Sequence, residues 1–158
     1  MSCGNNTSLI PPGGTENILN GTTGEPDLLT IANSVPPLIG ENFSVSEVND
    51  VAILEFDFTP IADTVQFNYV FASSEYFQYE NTEFNDVFAF FISGPGINGP
   101  YASPVGFPDG AKNIAFIPGT NPELPITVSS VNVLQNDQYF VDNSANIIGT
   151  YLLDVVIL

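Results

Sequence analysis

Basic side chains are almost missing from this sequence. Lys112 is the only lysine, arginine is absent, and 18 acidic residues give a formal net charge of −17. Proteins that bind nucleic acid need clustered Lys and Arg to displace the counterions of the phosphates, and anionic membranes also attract basic patches. The charge balance therefore argues against nucleic acid and anionic membrane surfaces as partners.

Histidine is absent, and Cys3 is the only cysteine. Without imidazole the chain cannot build a Ser-His or Cys-His nucleophile or a typical zinc site. One cysteine allows no internal disulfide, and the sequence leaves the role of Cys3 open. Carboxylates, amides and hydroxyls remain plentiful, and these oxygen ligands favour a hard cation such as Ca²⁺.

The sequence also lacks a continuous apolar run of the roughly 20 residues that span a bilayer, so we expect no membrane insertion. Hydrophobic residues make up 44% of the chain and charged residues 12%, which is typical of a folded domain. Residues 1–23 are rich in Gly, Asn, Thr and Pro and predict a flexible or loop-like segment. We expect residues 24–158 to form a single domain, either a fragment of a longer domain or a minimal version of one.

Short strands are indicated over most of the chain. Leu54, Phe56 and Phe58 alternate with Glu55 and Asp57, which is the pattern of a half-buried strand. We expect this strand to form a hairpin with the next one, and we expect 87–92, apolar on both faces, to be a central strand. The predicted strands are 51–58, 65–71, 87–92, 113–117, 126–133, 139–141 and 151–157.

The remaining patterns complete the predicted fold. Pro26, an acidic start and apolar residues at helical spacing predict one or two helical turns within 25–33. The Gly- and Pro-rich stretch 94–111 predicts a long loop at the rim. Together these elements predict an all-β protein, an antiparallel β-sandwich or jelly-roll-like fold with one short helix and long rim loops. The apolar segment 151–158 would be either its last buried strand or an unpaired edge.

Acidic and amide side chains are concentrated where two strongly apolar strands meet. Polar groups at strand ends must find partners or water, and carboxylates beside a central strand can hold a cation. We expect a Ca²⁺ site here, although an ordinary solvated acidic loop fits the same pattern. The predicted metal ligands are Ser73, Glu75, Asn85 and Asp86.

Two further groups are candidates for ligand binding. Tyr76 and Tyr79 lie in a loop-like stretch, where exposed aromatic rings would form a platform for a sugar or another ligand. Glu55 and Asp57 point the same way from their predicted strand. The pair would solvate the outer face, join the calcium site, or act as the carboxylate pair of a glycosidase, which needs one desolvated acid.

Several motifs in order resemble the choice-of-anchor L domain family. They cover about residues 24–143, and the most specific is FNDVFAFFISGPG at 84–96; the others are GEPDL at 24–28, AILEFDF at 52–58, YVFASSEY at 69–76, NIA at 113–115 and PGT at 118–120. The resemblance implies a secreted or cell-surface bacterial module, and it implies location more than activity. The family's Ser-Glu-Glu-Tyr is here Ser73-Ser74-Glu75-Tyr76, which removes one carboxylate from the predicted cation site.

These observations predict an extracellular or cell-surface module that binds, adheres or is displayed, stabilised by Ca²⁺ and without catalysis. Its expected partner is a surface glycan, a protein ligand or copies of itself. One alternative is a structural subunit that assembles into a fibre or layer by pairing through the apolar 151–158 segment. A second alternative is a carbohydrate-active enzyme that uses Glu55 or Asp57 with Glu75.

Overall fold

The computed structural model describes residues 24–143 and the backbone of 154–157. The predictions made for residues 1–23, Cys3 included, and for 151–153 lie outside these described residues. The described chain consists of one α-helix, a short 3₁₀ helix and seven short strands in small antiparallel sheets. It is therefore antiparallel β-structure with one helix, as an all-β fold requires, and no sandwich or jelly roll is shown among the described residues.

The helix α1 spans Pro26–Ile39 and is longer than the predicted one or two turns. Its start follows the sequence signals: Pro26 occupies the first turn, and Glu25 Oε1 accepts a hydrogen bond of 3.2 Å from the Asp27 amide. Gly40 ends it with a left-handed φ of 78°. The helix continues through two prolines near its end because it buries a continuous apolar face, made of Ile31, Ala32, Val35 and Pro36.

The strands are short, and all their pairings are antiparallel. A three-stranded sheet has the order β1-β7-β6, while β2 pairs with β5 and β3 pairs with β4. The 3₁₀ helix Asp137–Tyr139 leads directly into β6. The strands are β1 Val70–Ser73, β2 Val87–Phe88, β3 Phe91–Ile92, β4 Lys112–Asn113, β5 Ile126–Thr127, β6 Phe140–Val141 and β7 Asp154–Ile157.

The predicted central strand 87–92 is present as two strands with different partners. β2 pairs with β5, and β3 pairs with β4. Between them the Phe90 amide donates to the side-chain oxygen of Asn113 at 3.0 Å, and the Ile114 amide donates to the Phe90 carbonyl at 2.9 Å. The side-chain oxygen of Asn113 thus takes the place of a backbone carbonyl as the acceptor. Residues 87–92 thereby connect two small sheets.

The prediction that the C-terminal segment presents an unpaired edge is wrong for β7. Its residues pair with β1 on one side, where Val70 lies opposite Ile157, and with β6 on the other, where Phe140 lies opposite Val156. β7 is therefore the central strand of its sheet. Val155 and Val156 have backbone partners on both sides within the same chain, so these two residues present no open edge.

The predicted hairpin of 51–58 with 65–71 is also wrong. Val51 forms a single β-bridge, residues 52–69 belong to no strand, and only the end of the second segment is in β1, which pairs with β7. Instead of being half-buried, Leu54 is 68% exposed and Phe56 is 54% exposed. A strand buries one face only when another segment packs against it, and the alternation of apolar and charged residues in 51–58 does not specify such a segment.

The hydrophobic core lies between α1 and the segments 115–117 and 124–131. Apolar residues at its periphery include Phe71 of β1 and Phe140 of β6. The loop 94–111 is irregular, as predicted, and is anchored by the Ala102 amide, which donates to Asp27 Oδ2 at 2.7 Å. The buried core residues are Val35, Tyr76, Ala115, Ile117, Leu124, Ile126, Val128 and Val131.

Candidate functional site

The end of β1 and the start of β2 meet through the side chains of Ser73 and Asp86. Ser73 is buried, and its hydroxyl donates to Asp86 Oδ2 at 2.7 Å. The same hydroxyl oxygen accepts a hydrogen bond of 3.0 Å from the Glu75 amide. The Ser73 hydroxyl thus contacts two other residues of the predicted metal site, Asp86 through its carboxylate and Glu75 through its backbone amide.

Asp86 lies in an environment that disfavours its charge. Although the residue keeps some exposed surface, burial by the surrounding protein raises the pKa of its carboxyl above the usual value. The negative charge of Asp50 raises this pKa further, while the hydrogen bond from Ser73 acts in the opposite direction. An opposite charge beside Asp86 would relieve this electrostatic cost.

Asp50 is a member of this cluster that the sequence analysis missed. It precedes Val51 and adopts a left-handed φ of 53°, which turns the chain at this point. The Asn49-Asp50 pair is a turn signal in the sequence. That signal does not indicate which distant carboxylate the turn approaches, so only the fold brings Asp50 and Asp86 together.

Asn85 has a different role from the one predicted. Its side chain is only 7% exposed, and Asn85 Oδ1 accepts a hydrogen bond of 3.1 Å from the Ser129 amide. Neighbouring residues of an extended chain point in opposite directions, which explains why Asn85 contacts Ser129 while Asp86 contacts Ser73. Asn85 therefore anchors the buried loop at 129 through an oxygen that the metal prediction had assigned to a cation.

A cation at the Ser73–Asp86 contact would rely on few charges. Among residues 24–143 there is no group of three or more His, Cys, Asp or Glu side chains placed to hold a metal ion. The oxygen atoms in contact here are the carboxylate of Asp86 and the hydroxyl of Ser73, and the negative charge of Asp50 acts on Asp86 from nearby. Carboxylate and neutral oxygen atoms are the ligands that Ca²⁺ takes, so the donor set fits a weakly held calcium better than a transition metal.

The two predicted ligand-binding tyrosines do not form an exposed platform. Tyr76 is 5% exposed and belongs to the core, where its ring lies 4.8 Å from that of Phe140. Tyr79 is half-buried, with its ring edge-on to Phe84 at 5.3 Å, and its hydroxyl accepts from Gln78 Nε2 at 3.0 Å. Both rings are engaged within the protein.

Glu55 and Asp57 are exposed on the extended segment that follows Val51. A glycosidase acid must be desolvated to hold its proton at neutral pH. Their exposure gives neither carboxyl that environment. The pair instead forms the polar side of an otherwise apolar stretch of surface.

The described residues also form an aromatic groove of about 340 Å³, which no sequence pattern had indicated. The rings of Phe67 and Phe90 lie 4.5 Å apart, and Tyr69 stacks on Phe88 at 4.7 Å. Burial raises the pKa of Tyr69 to about 12, because the surrounding protein disfavours the charged tyrosinate. The groove is lined by Val65, Gln66, Phe67, Tyr69, Phe90 and Ile114.

The comparisons with known proteins give one result. The family model of the choice-of-anchor L domain matches residues 1–152 of the 158 in the chain. Neither the curated proteins nor the solved structures compared with the chain give a match. Among the described residues, no helix has the length and apolar character that crossing a bilayer requires. The family match covers nearly the whole sequence and confirms the resemblance seen in its motifs: the chain belongs to the choice-of-anchor L domain family, which points to a module of the cell surface.

Proposed function

We propose that this domain is a non-catalytic binding or display module of the cell surface that a calcium ion stabilises. Membership of a surface-module family supports the location. The calcium proposal rests on one observation: the buried Ser73 hydroxyl donates to Asp86 at the junction of two strands, with the charge of Asp50 nearby. A divalent cation would offset the repulsion between these two carboxylates.

The stabilising effect follows from what the ion would connect. Asp86 directly precedes β2, Ser73 ends β1, and Asp50 lies at the start of the exposed extended segment. Binding to carboxylates on separate segments stabilises the folded chain over the unfolded one, because unfolding separates these ligands. Calcium would therefore fix the geometry of the surface near residues 50–58 without taking part in any reaction.

The first prediction concerns thermal stability. We expect about 5 mM CaCl₂ to add about 1–2 kcal/mol of stability, given the millimolar-range affinities typical of extracellular calcium modules. In a domain of this size that raises Tm by a few degrees. Circular dichroism melts in CaCl₂ and in chelator measure it, with NaCl at matched ionic strength as the reference.

Variants separate a specific site from general charge effects. Asp86→Asn keeps an oxygen that can accept the Ser73 hydrogen bond but removes the charge, so its calcium-dependent rise in Tm should be lost. Glu123→Gln removes one charge at an exposed turn far from this contact in sequence and should keep the rise. Equal calcium responses in the two variants would refute the site.

A further inference from the structure

The segment of the chain that follows Val51 exposes several large apolar side chains to solvent. We call residues 53–58 the open strip. Its large side chains are mostly in solvent: Ile53 is 61% exposed, and Leu54, Phe56 and Phe58 are exposed as well. Apolar patches of this kind on soluble proteins mark interaction surfaces.

In the part of the chain that the structure describes, the backbone of the open strip has no partner strand. Residues 52–60 belong to no strand, and no backbone hydrogen bond joins the strip to another described residue. Unpaired amides and carbonyls in an extended segment form a template on which another strand can add. The strip therefore offers main-chain hydrogen bonds as well as apolar contacts.

The two faces of the strip differ in chemistry. Leu54, Phe56 and Phe58 share one face, and the rings of Phe56 and Phe58 lie 6.2 Å apart. Glu55 and Asp57 occupy the opposite face, and both are exposed. A strand laid beside the strip would place apolar side chains next to the first face and basic ones next to the second.

We propose that the open strip binds an extended segment of a partner protein by strand addition, and that this segment alternates apolar and basic side chains. This proposal names the kind of partner that the binding function proposed above requires, and it rests on that function. Charge complementarity favours this occupant, since the chain carries 18 acidic residues against one basic residue.

The same charges disfavour a second copy of this chain. Antiparallel pairing of two strips centred on Phe56 would place Glu55 of each copy directly opposite Asp57 of the other. Like charges at directly opposed positions destabilise a strand pair. Each molecule also carries a net charge of −17, which opposes self-association.

The test uses the full chain and a synthetic peptide of about eight residues in which Val and Lys alternate, a length typical of a strand. Binding is measured by calorimetry in CaCl₂ and in chelator. One control peptide has the same composition arranged as a block of Val and a block of Lys. A second has the alternating sequence with N-methyl groups on the amides of one edge, which removes its ladder hydrogen bonds.

We expect the alternating peptide to bind, and both control peptides to bind about tenfold more weakly or worse. Phe56→Asp should weaken binding to a similar extent. Val105→Asp also introduces an aspartate in place of an apolar residue, but at a fully exposed position in the loop 94–111. This variant should bind the alternating peptide as tightly as the unmodified chain does. Binding that persists in chelator supports the strip even where the calcium site fails.

Three results would overturn the proposal. Equal binding of all three peptides would mean attraction by charge alone. Slow hydrogen exchange at the amides of 53–58 in the free monomer would mean that the chain covers the strip itself. A dimer in sedimentation that Phe56→Asp dissociates and Val105→Asp does not would assign the strip to a second copy.

Discussion

The serine at position 73 shows how one residue can connect a distant pair. Its hydroxyl donates to Asp86 and accepts from the Glu75 amide, so both of its hydrogen-bonding functions are used inside the protein. The family pattern has a second glutamate where this chain has Ser74. The resulting cluster has fewer charges than the pattern, which is why we expect calcium binding to be weak.

Tyr69 gives a prediction that a spectrometer can test directly. Burial raises the pKa of its hydroxyl to about 12, above the usual value of 10.0. The raised pKa stabilises the folded state fully below pH 10.0, and this contribution is lost as the pH rises towards 12. The absorbance of tyrosinate against pH, taken as the difference between the unmodified chain and Tyr69→Phe, should have its midpoint near pH 12. A midpoint at 10 would show that Tyr69 is solvated.

The sequence indicates the chemical character of a residue more reliably than its position in the fold. The sequence places carboxylates beside the ends of two apolar strands, and Ser73 does contact Asp86 there, while the cation site expected at this junction stays a prediction. Tyr76 could not be located in the same way, since an aromatic ring in a polar loop can face water or core. Its burial depends on Phe140, which belongs to a different strand.

Among the elements, α1 shows the limit of local signals. The acidic start and the early proline predicted the start of the helix correctly. Pro36 and Pro37 lie inside the helix, although proline lacks an amide hydrogen and is unfavourable there. Burial of Val35 and Pro36 keeps the helical geometry as far as Ile39, so tertiary packing decided where the helix ends.

The predicted strand at 126–133 was shortened by its own side chains. β5 ends at Thr127, where the backbone amide donates to Ser130 Oγ at 2.8 Å. Ser130 Oγ in turn donates to the Pro125 carbonyl at 2.7 Å. Hydroxyl side chains that bond to the nearby backbone compete with strand pairing and form a turn instead. The apolar pattern alone gave no sign of this competition.

Close backbone packing in the loop 94–111 gives a prediction for this element. The Gly99 amide donates to the Asp109 carbonyl at 3.1 Å, and a Cβ at Gly99 would overlap the Ala111 carbonyl. We expect Gly99→Ala to cost about 1–3 kcal/mol of unfolding free energy, as overpacking does. Gly106→Ala is the matched control, since no atom lies within 4 Å of its added Cβ, and it should change stability by less than about 0.5 kcal/mol. Equal urea midpoints for the two variants would contradict this packing.

For the whole molecule, net charge is the property that sequence reasoning determines most completely. Eighteen acidic residues, offset by one basic residue, repel one another in any compact fold of this chain. The positions of individual residues cannot be derived in this way, because no rule based on composition brings Asp50 near Asp86 or leaves the open strip exposed. Net charge therefore gives an expectation about partner classes that stays a prediction, while the positions of the sites needed the folded chain.

Salt should consequently stabilise this protein. Raising NaCl from about 0.01 M to 0.5 M shortens the Debye length from about 30 Å to a few ångströms and screens repulsion between carboxylates across the surface. We expect Tm to rise by a few degrees, since about 1 kcal/mol corresponds to about 2–4 °C in a domain of this size. Asp86→Asn and Glu123→Gln should respond alike to NaCl, because screening acts on the total charge. A Tm that is independent of NaCl would mean that the carboxylates are too far apart to repel, and calcium would then act through its ligands alone.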